Sequence, residues 1–189
     1  MFSGTEASLQ KLVEQWLSEI SMPFLAQWET PLKSRSDLVL FNSHSDKRPW
    51  CVIEIKRGLS AKHTKVTELA DHFEQCLKYH ADTGLPVFLG PFFIPTMAVD
   101  WCMQGGAEPK YATASFSALA GRANVGMFFV HVAPGCESKP EKWQGFRMTL
   151  RNNTVARWNK YEQHCTWPTG AISLASFDGA ASSSVRRAA

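Results

Sequence analysis

Arg35-Ser36-Asp37-Leu38-Val39-Leu40-Phe41, answered downstream by Val52-Ile53-Glu54-Ile55-Lys56, is the pair of segments on which the fold turns. Each is a short, nearly continuous apolar run, the pattern of a strand buried on both faces. An acid stands near the start of the first run, and a carboxylate and an ammonium two residues apart close the second. Side chains of a strand alternate, so Glu54 and Lys56 share a face. Between the runs lies Asn42-Ser43-His44-Ser45-Asp46-Lys47-Arg48-Pro49, the segment richest in turn formers. An antiparallel hairpin that sets Asp37 opposite Glu54 has its turn centred between Ser45 and Asp46, inside that segment. Local composition and the register that joins the two acids therefore agree. Charges in such apolar surroundings are costly unless paired or metal-bound. An acid and an E-x-K on the solvated side of a half-buried hairpin would, however, give the same letters.

Working outward, residues 5–20 read as a helix with an apolar stripe of Leu9, Leu12, Val13, Trp16, Leu17 and Ile20. Of its acids, Glu6 projects near the centre of that stripe, whereas Glu14 and Glu19 project roughly 90° or more away. Ser3-Gly4-Thr5-Glu6 also fits the S-x-x-E capping box, which would occupy Glu6 at the helix start; both roles stay open. Residues 24–31 read as a strand ending at Pro31, and the hairpin covers 36–41 and 50–56. A basic loop at 57–63 leads into a second helix from about 64 to 83, stopped by Gly84. Its apolar stripe is Val66, Leu69, Ala70, Phe73, Cys76, Leu77 and His80, which leaves Gln75 and Tyr79 on the other side with Glu68 and His72. Leu85–Gly90 reads as a buried strand entered through an extended X-Pro step. Short helices are expected at 96–104 and 116–122, strands at 125–132 and 146–150, and a helix at 154–164 carrying Arg157 and Lys160. A helix between buried strands implies a crossover and a mixed sheet.

The 189 residues are expected to form one α/β domain over 1–169 and an Ala/Ser-rich tail over 170–189. Apolar residues make up 44% and charged residues 20%, as in soluble globular chains. The net charge is only +3, but residues 33–65 hold eight Lys/Arg against three acids. That local excess around Asp37, Glu54 and Lys56 suits a phosphate-backbone ligand, though charge runs are also ordinary on solvated surfaces. Five widely spaced cysteines, without a C-x-x-C or Cys/His cluster, indicate neither a zinc site nor a disulfide framework. Absence of a signal peptide makes the cytoplasm the expected compartment. Leu85–Met103 is apolar but contains Pro86, Pro91, Pro95 and Asp100, which argues against a membrane span.

The order helix with acid, strand, Asp on a strand, E-x-K on the next, helix, apolar strand resembles the PD-(D/E)xK nuclease superfamily. That superfamily includes restriction enzymes, Holliday-junction resolvases, and lambda-exonuclease and RecB-type nucleases. Gln75-Cys76-Leu77-Lys78-Tyr79 is similar to the Q-x-x-x-Y motif of the last two branches, and the resemblance covers roughly residues 6–90. Ser36 replaces the proline of the superfamily name. The resemblance implies a restriction-endonuclease-like core (αβββαβ) with a mixed sheet flanked by helices. It implies Mg²⁺ or Mn²⁺ held by Asp37, Glu54 and the Ile55 carbonyl, with Lys56, Gln75 and Glu6 completing the catalytic set. Arg35, Arg57, Lys62, His63, Lys65 and Tyr79 would touch nucleic acid, with DNA as the expected polymer. A homodimer with two sites is expected if duplexes or junctions are cut on both strands. The alternative is a catalytically silent nuclease-fold module that binds nucleic acid or protein.

Overall fold

The hairpin anticipated from turn chemistry forms, and it forms in the anticipated register. In the computed structural model, which describes residues 2–41, 48–57, 66–95, 124–151, 153–160 and 164–166, strands β2 (Arg35–Phe41) and β3 (Pro49–Ile55) are antiparallel. Leu38 opposes Ile53, Val39 opposes Val52 and Leu40 opposes Cys51, the pairing that continues to Asp37 and Glu54. β1 (Phe24–Glu29) flanks β2 on the outer side. It stops two residues short of Pro31, where Thr30 and Ser34 close a tight turn through their backbones and hydroxyls.

Helix α1 (Glu6–Glu19) precedes β1, and helix α2 (Val66–Thr83) follows β3. α2 ends where Gly84, at φ +69°, donates its N–H to the His80 carbonyl; glycine takes that left-handed geometry without a Cβ penalty. The chain then enters β4 (Val87–Pro95), parallel to β3, and β5 (Val125–Val132), parallel to β4. A short 3₁₀ turn at Pro140–Lys142 leads into β6 (Trp143–Leu150), then β7 (Asn153–Asn159) and β8 (His164–Thr166), all antiparallel. The eight strands of the described residues make one mixed sheet in sequential order, so the fold is α/β.

β7 corrects the helix expected at 154–164. Leu150 pairs with Asn153 across a tight turn in which Arg151 takes φ +49°, and the chain folds straight back along β6. Thr154, Val155 and Trp158 are β-branched or aromatic, so local preference and ladder pairing act together. The helices expected at 96–104 and 116–122 and the tail at 170–189 lie outside the described residues, as does His44 of the expected turn.

Strand alternation divides the core between the two faces of the sheet. α1 buries Leu9, Val13, Trp16 and Leu17 against Leu38, Leu40, Cys51, Ile53, Phe128 and Phe146 on the first face. Each such side chain contributes roughly 1.5–3 kcal/mol of transfer free energy. The Trp16 ring meets Trp143, Phe146 and Trp158 edge-on, at 5.2, 5.8 and 5.7 Å between centroids. On the second face, α2 packs Phe73, Cys76 and Tyr79 over Val52, Val87, Leu89, Met127 and Phe129. No helix among the described residues is long and apolar enough to cross a membrane.

Candidate active site

Asp37 and Glu54 leave adjacent strands on the face that α2 covers, and Lys56 follows β3 directly. The Lys56 backbone N–H donates to the Gly90 carbonyl at 2.8 Å, which extends the β3–β4 ladder and fixes the lysine at the strand end. Its Nζ lies 2.7 Å from Glu54 Oε1 and 3.1 Å from Glu6 Oε1, so the ammonium bridges β3 to the first turn of α1. Asp37 Oδ2 accepts the Ile55 backbone N–H at 2.8 Å. The Asp37 and Glu54 carboxyl groups, on adjacent strands, act electrostatically on one another.

The electrostatics follow from this packing. Glu54 is 1% exposed. Burial first, and the Asp37 carboxylate second, push its carboxyl up to about 7, against the opposing pull of Lys56. Burial also raises Asp37, while the Ile55 N–H and Lys56 lower it. For Lys56, burial works against the charged form but is outweighed by Glu54 and Glu6, which hold the ammonium above its ordinary range. Lys56 is therefore a fixed positive charge and the carboxyl pair is where a proton is gained or lost.

The capping question about Glu6 has a structural answer. Thr5 is the N-cap, its side chain accepting the Ser8 N–H at 3.1 Å, so Ser3 is not the cap and Glu6 is released toward Lys56. Gln10, one turn further, donates to the Asp37 carbonyl at 3.3 Å and to Glu14 at 2.8 Å. Sequence reading did not single out Gln10; its position one turn after Glu6 on α1 was the available signal.

α2 corrects the stripe drawn from its sequence. Ala70 and Leu77 are exposed, whereas Tyr79 is buried with Phe73 and Cys76. The buried arc is rotated toward Tyr79 because its ring, not Leu77, packs over β3 and β4. The Tyr79 hydroxyl donates to the Arg35 carbonyl at 2.6 Å and accepts from Gln75 Nε2 at 3.0 Å. Burial foremost raises the Tyr79 phenol, with the charges of Glu54, Asp37 and Lys56 also acting on it. Gln75 thus stands beside the charged cluster through Tyr79, not in contact with Lys56. Gln75 and Tyr79 line a cleft of about 440 Å³ with Ser34, Arg35, Asp71, Glu74 and Lys78. Arg35 and Arg57 are exposed, and Arg57 reaches the Gly4 carbonyl at 3.5 Å. Lys62, His63 and Lys65 lie outside the described residues.

The donor set can be tested against a divalent cation. Among the described residues Glu54 Oε2 is buried without a hydrogen-bond partner, beside a second carboxylate. A hard cation would satisfy that oxygen, and carboxylate and carbonyl oxygens are the ligands Mg²⁺ and Mn²⁺ prefer. Among the described residues no group of three or more His, Cys, Asp or Glu is arranged to hold a metal. Two carboxylates and one carbonyl would therefore leave the remaining positions to water, as Mg²⁺ ordinarily allows. Comparison with protein-family models, with curated proteins and with solved structures found no match.

Proposed function

We propose that this chain is a divalent-metal-dependent nuclease that hydrolyses phosphodiester bonds in nucleic acid, most readily DNA, on a restriction-endonuclease-like core of the PD-(D/E)xK type. The observation that carries the reading is the set Asp37–Glu54–Lys56, with Glu54 buried and Asp37 and Lys56 half-buried, gathered at one sheet register, with one Glu54 oxygen lacking a partner among the described residues. A protein that only binds a polyanion gains nothing from a buried acid beside a second, half-buried one, whose mutual repulsion and desolvation are costly.

Asp37, Glu54 and the Ile55 carbonyl would hold the metal. When bound, the metal would polarise the phosphoryl oxygen and lower the pKa of a coordinated water. Lys56 faces the same locus with its charge fixed by Glu54 and Glu6. Its role is therefore to offset negative charge developing on the phosphoryl oxygens, not to remove a proton. Asp37 keeps its carboxylate oriented through the Ile55 N–H. The cleft beside Tyr79, walled by Arg35 and Lys78 and by Asp71 and Glu74, would take the flanking strand of a substrate through its two cations.

The test is cleavage of supercoiled plasmid, linear duplex, single strand and a four-way junction, with Mg²⁺ or with chelator. Metal-dependent cutting that falls by about 10²-fold or more in Lys56→Ala is expected. No cutting of any substrate, or equal cutting by the variant, would defeat the proposal.

A further inference from the structure

The β1–β2 ladder breaks at the residue that supplies the first carboxylate. Ala26 pairs with Leu38 and Trp28 with Ser36, so the register sets Gln27 against Asp37, yet that pair is missing. The Phe41 N–H donates to the Pro23 carbonyl at 3.0 Å, and the alternation of an antiparallel ladder puts Gln27 and Asp37 in the same hydrogen-bonded series. Gln27 instead takes φ +52°, a left-handed backbone that is costly for a residue with a Cβ.

Side chains replace the missing rung. Gln27 Nε2 donates to Gln10 Oε1 at 3.1 Å, and Gln10 Nε2 donates to the Asp37 carbonyl at 3.3 Å and to Glu14 Oε1 at 2.8 Å. The Asp37 carbonyl can only accept, which fixes the end of the Gln10 amide that faces it. Asp37 is thereby held twice, by β3 through its carboxylate on the Ile55 N–H and by α1 through its main chain. Glu6, one turn before Gln10, contacts Lys56, so one helix reaches both the lysine and the first acid. Backbone strain persists only where the surroundings over-determine it, and here it stands opposite a site residue.

We propose that Gln10, oriented by Gln27, is a positioning residue that fixes the Asp37 main chain and so holds the Asp37 carboxylate in place for a divalent cation. The inference rests on the reading of Asp37 and Glu54 as metal ligands. Gln10 meets Asp37 at its main chain, not its carboxylate, and acts as the outer partners of metal ligands do.

The experiment is Mn²⁺ binding to the full chain without nucleic acid, followed by the EPR signal of free Mn²⁺, with urea unfolding of the same proteins. The wild type is expected to bind Mn²⁺ and Glu54→Gln to lose it. Gln10→Met, which keeps side-chain length and helix preference, is expected to weaken Mn²⁺ binding about tenfold. Gln27→Gly accepts the left-handed backbone without a Cβ and removes only the amide that orients Gln10. It is expected to weaken Mn²⁺ binding several-fold with no loss of stability, a split that a merely structural role does not produce. Absence of Mn²⁺ binding by the wild type, or equal binding by Glu54→Gln, would defeat the metal-site reading and the inference with it. Binding lost in Glu54→Gln but equal in wild type and Gln10→Met would overturn the inference alone. Should Gln10→Met fail to fold, wild-type Mn²⁺ affinity in Gln27→Gly would overturn it.

Discussion

Two buried polar groups share the face of the sheet that carries Val52 and Phe129, and they are built on opposite plans. At the β2–β3 end, Lys56 lies within 3.1 Å of two carboxylates and Asp37 is anchored by a backbone N–H; one orphan, Glu54 Oε2, remains. On β5 and β6, His131, Arg147 and Thr149 are more deeply buried than Asp37 or Lys56, yet five of their nitrogen and oxygen atoms have no hydrogen-bond partner among the described residues. The first group pairs its single ammonium with carboxylates of the chain, keeps acids in excess, and stands beside a cleft. In the second, His131 and Thr149 stand near opposite ends of the β5–β6 ladder with Arg147 between them, and Arg147 has no ion pair among the described residues. Partnered charges hold a fixed geometry, whereas an unpartnered one carries its desolvation cost uncompensated.

The sharpest way to break that comparison is to remove one cation from each group and measure stability by urea unfolding without phosphate or metal. Lys56→Ala strands the Glu54 carboxylate and is expected to cost about 3 kcal/mol at pH 8. The loss should shrink at pH 5, where Glu54 takes up a proton. Arg147→Met strands no charge and removes an unpaired one, so it is expected to be neutral or stabilising by about 1 kcal/mol. Equal losses in the two variants would show that Arg147 is as well partnered as Lys56.

The pH dependence of stability sharpens the contrast, because the two groups pull in opposite directions. Glu54 is raised from 4.5 to about 7, so the folded chain holds a proton that the unfolded chain has released. Between those values its contribution falls as pH rises. His131 is lowered from 6.5 to about 3, so the unfolded chain binds a proton that the folded chain refuses. Its contribution is lost as pH falls from 6.5 toward 3. The wild type should therefore vary little across the overlap near pH 5–6. Glu54→Gln should remove the larger part of the decline that extends to pH 7, leaving the smaller one from Asp37 and the acid-side loss from His131. His131→Phe should leave only the decline toward pH 7. A Glu54→Gln profile that superimposes on the wild type would remove the assigned origin of the neutral-side slope.

The same contrast explains what the sequence could and could not disclose. The β2–β3 hairpin was legible because turn chemistry and the Asp37–Glu54 register are both local, separated by a single short loop. α1, α2 and β5 were legible from their apolar periodicity and, for α2, from the glycine stop. β7 was misread because eleven residues around Arg157 can be drawn on a helix, and only pairing with β6 decides otherwise. Tyr79 was placed on the wrong side because a helical projection treats Leu77 as the better core residue and does not know which ring fits over β3. Arg147, in Phe146-Arg147-Met148-Thr149-Leu150, looks like the solvent-facing half of an alternating strand. Its burial depends on what covers that face, which no local pattern reports.

The smallest expected effect concerns the hinge between fold and site at the start of α1. Thr5 caps the helix through its side chain, while Ser3 plays no part in the cap. Thr5→Ala should therefore cost about 1 kcal/mol of stability, and Ser3→Ala close to nothing. Because the first turn of α1 carries Glu6, fraying it also loosens one of the two carboxylates that hold Lys56. Thr5→Ala should consequently lower cleavage more than its stability loss explains at temperatures where it remains folded. Restoring the cap with Thr5→Ser should recover both. Had Ser3 and Glu6 formed the capping box, Ser3→Ala would be the damaging change. Comparing the two alanine variants by urea unfolding and plasmid cleavage therefore decides whether Glu6 belongs to the helix end or to the lysine.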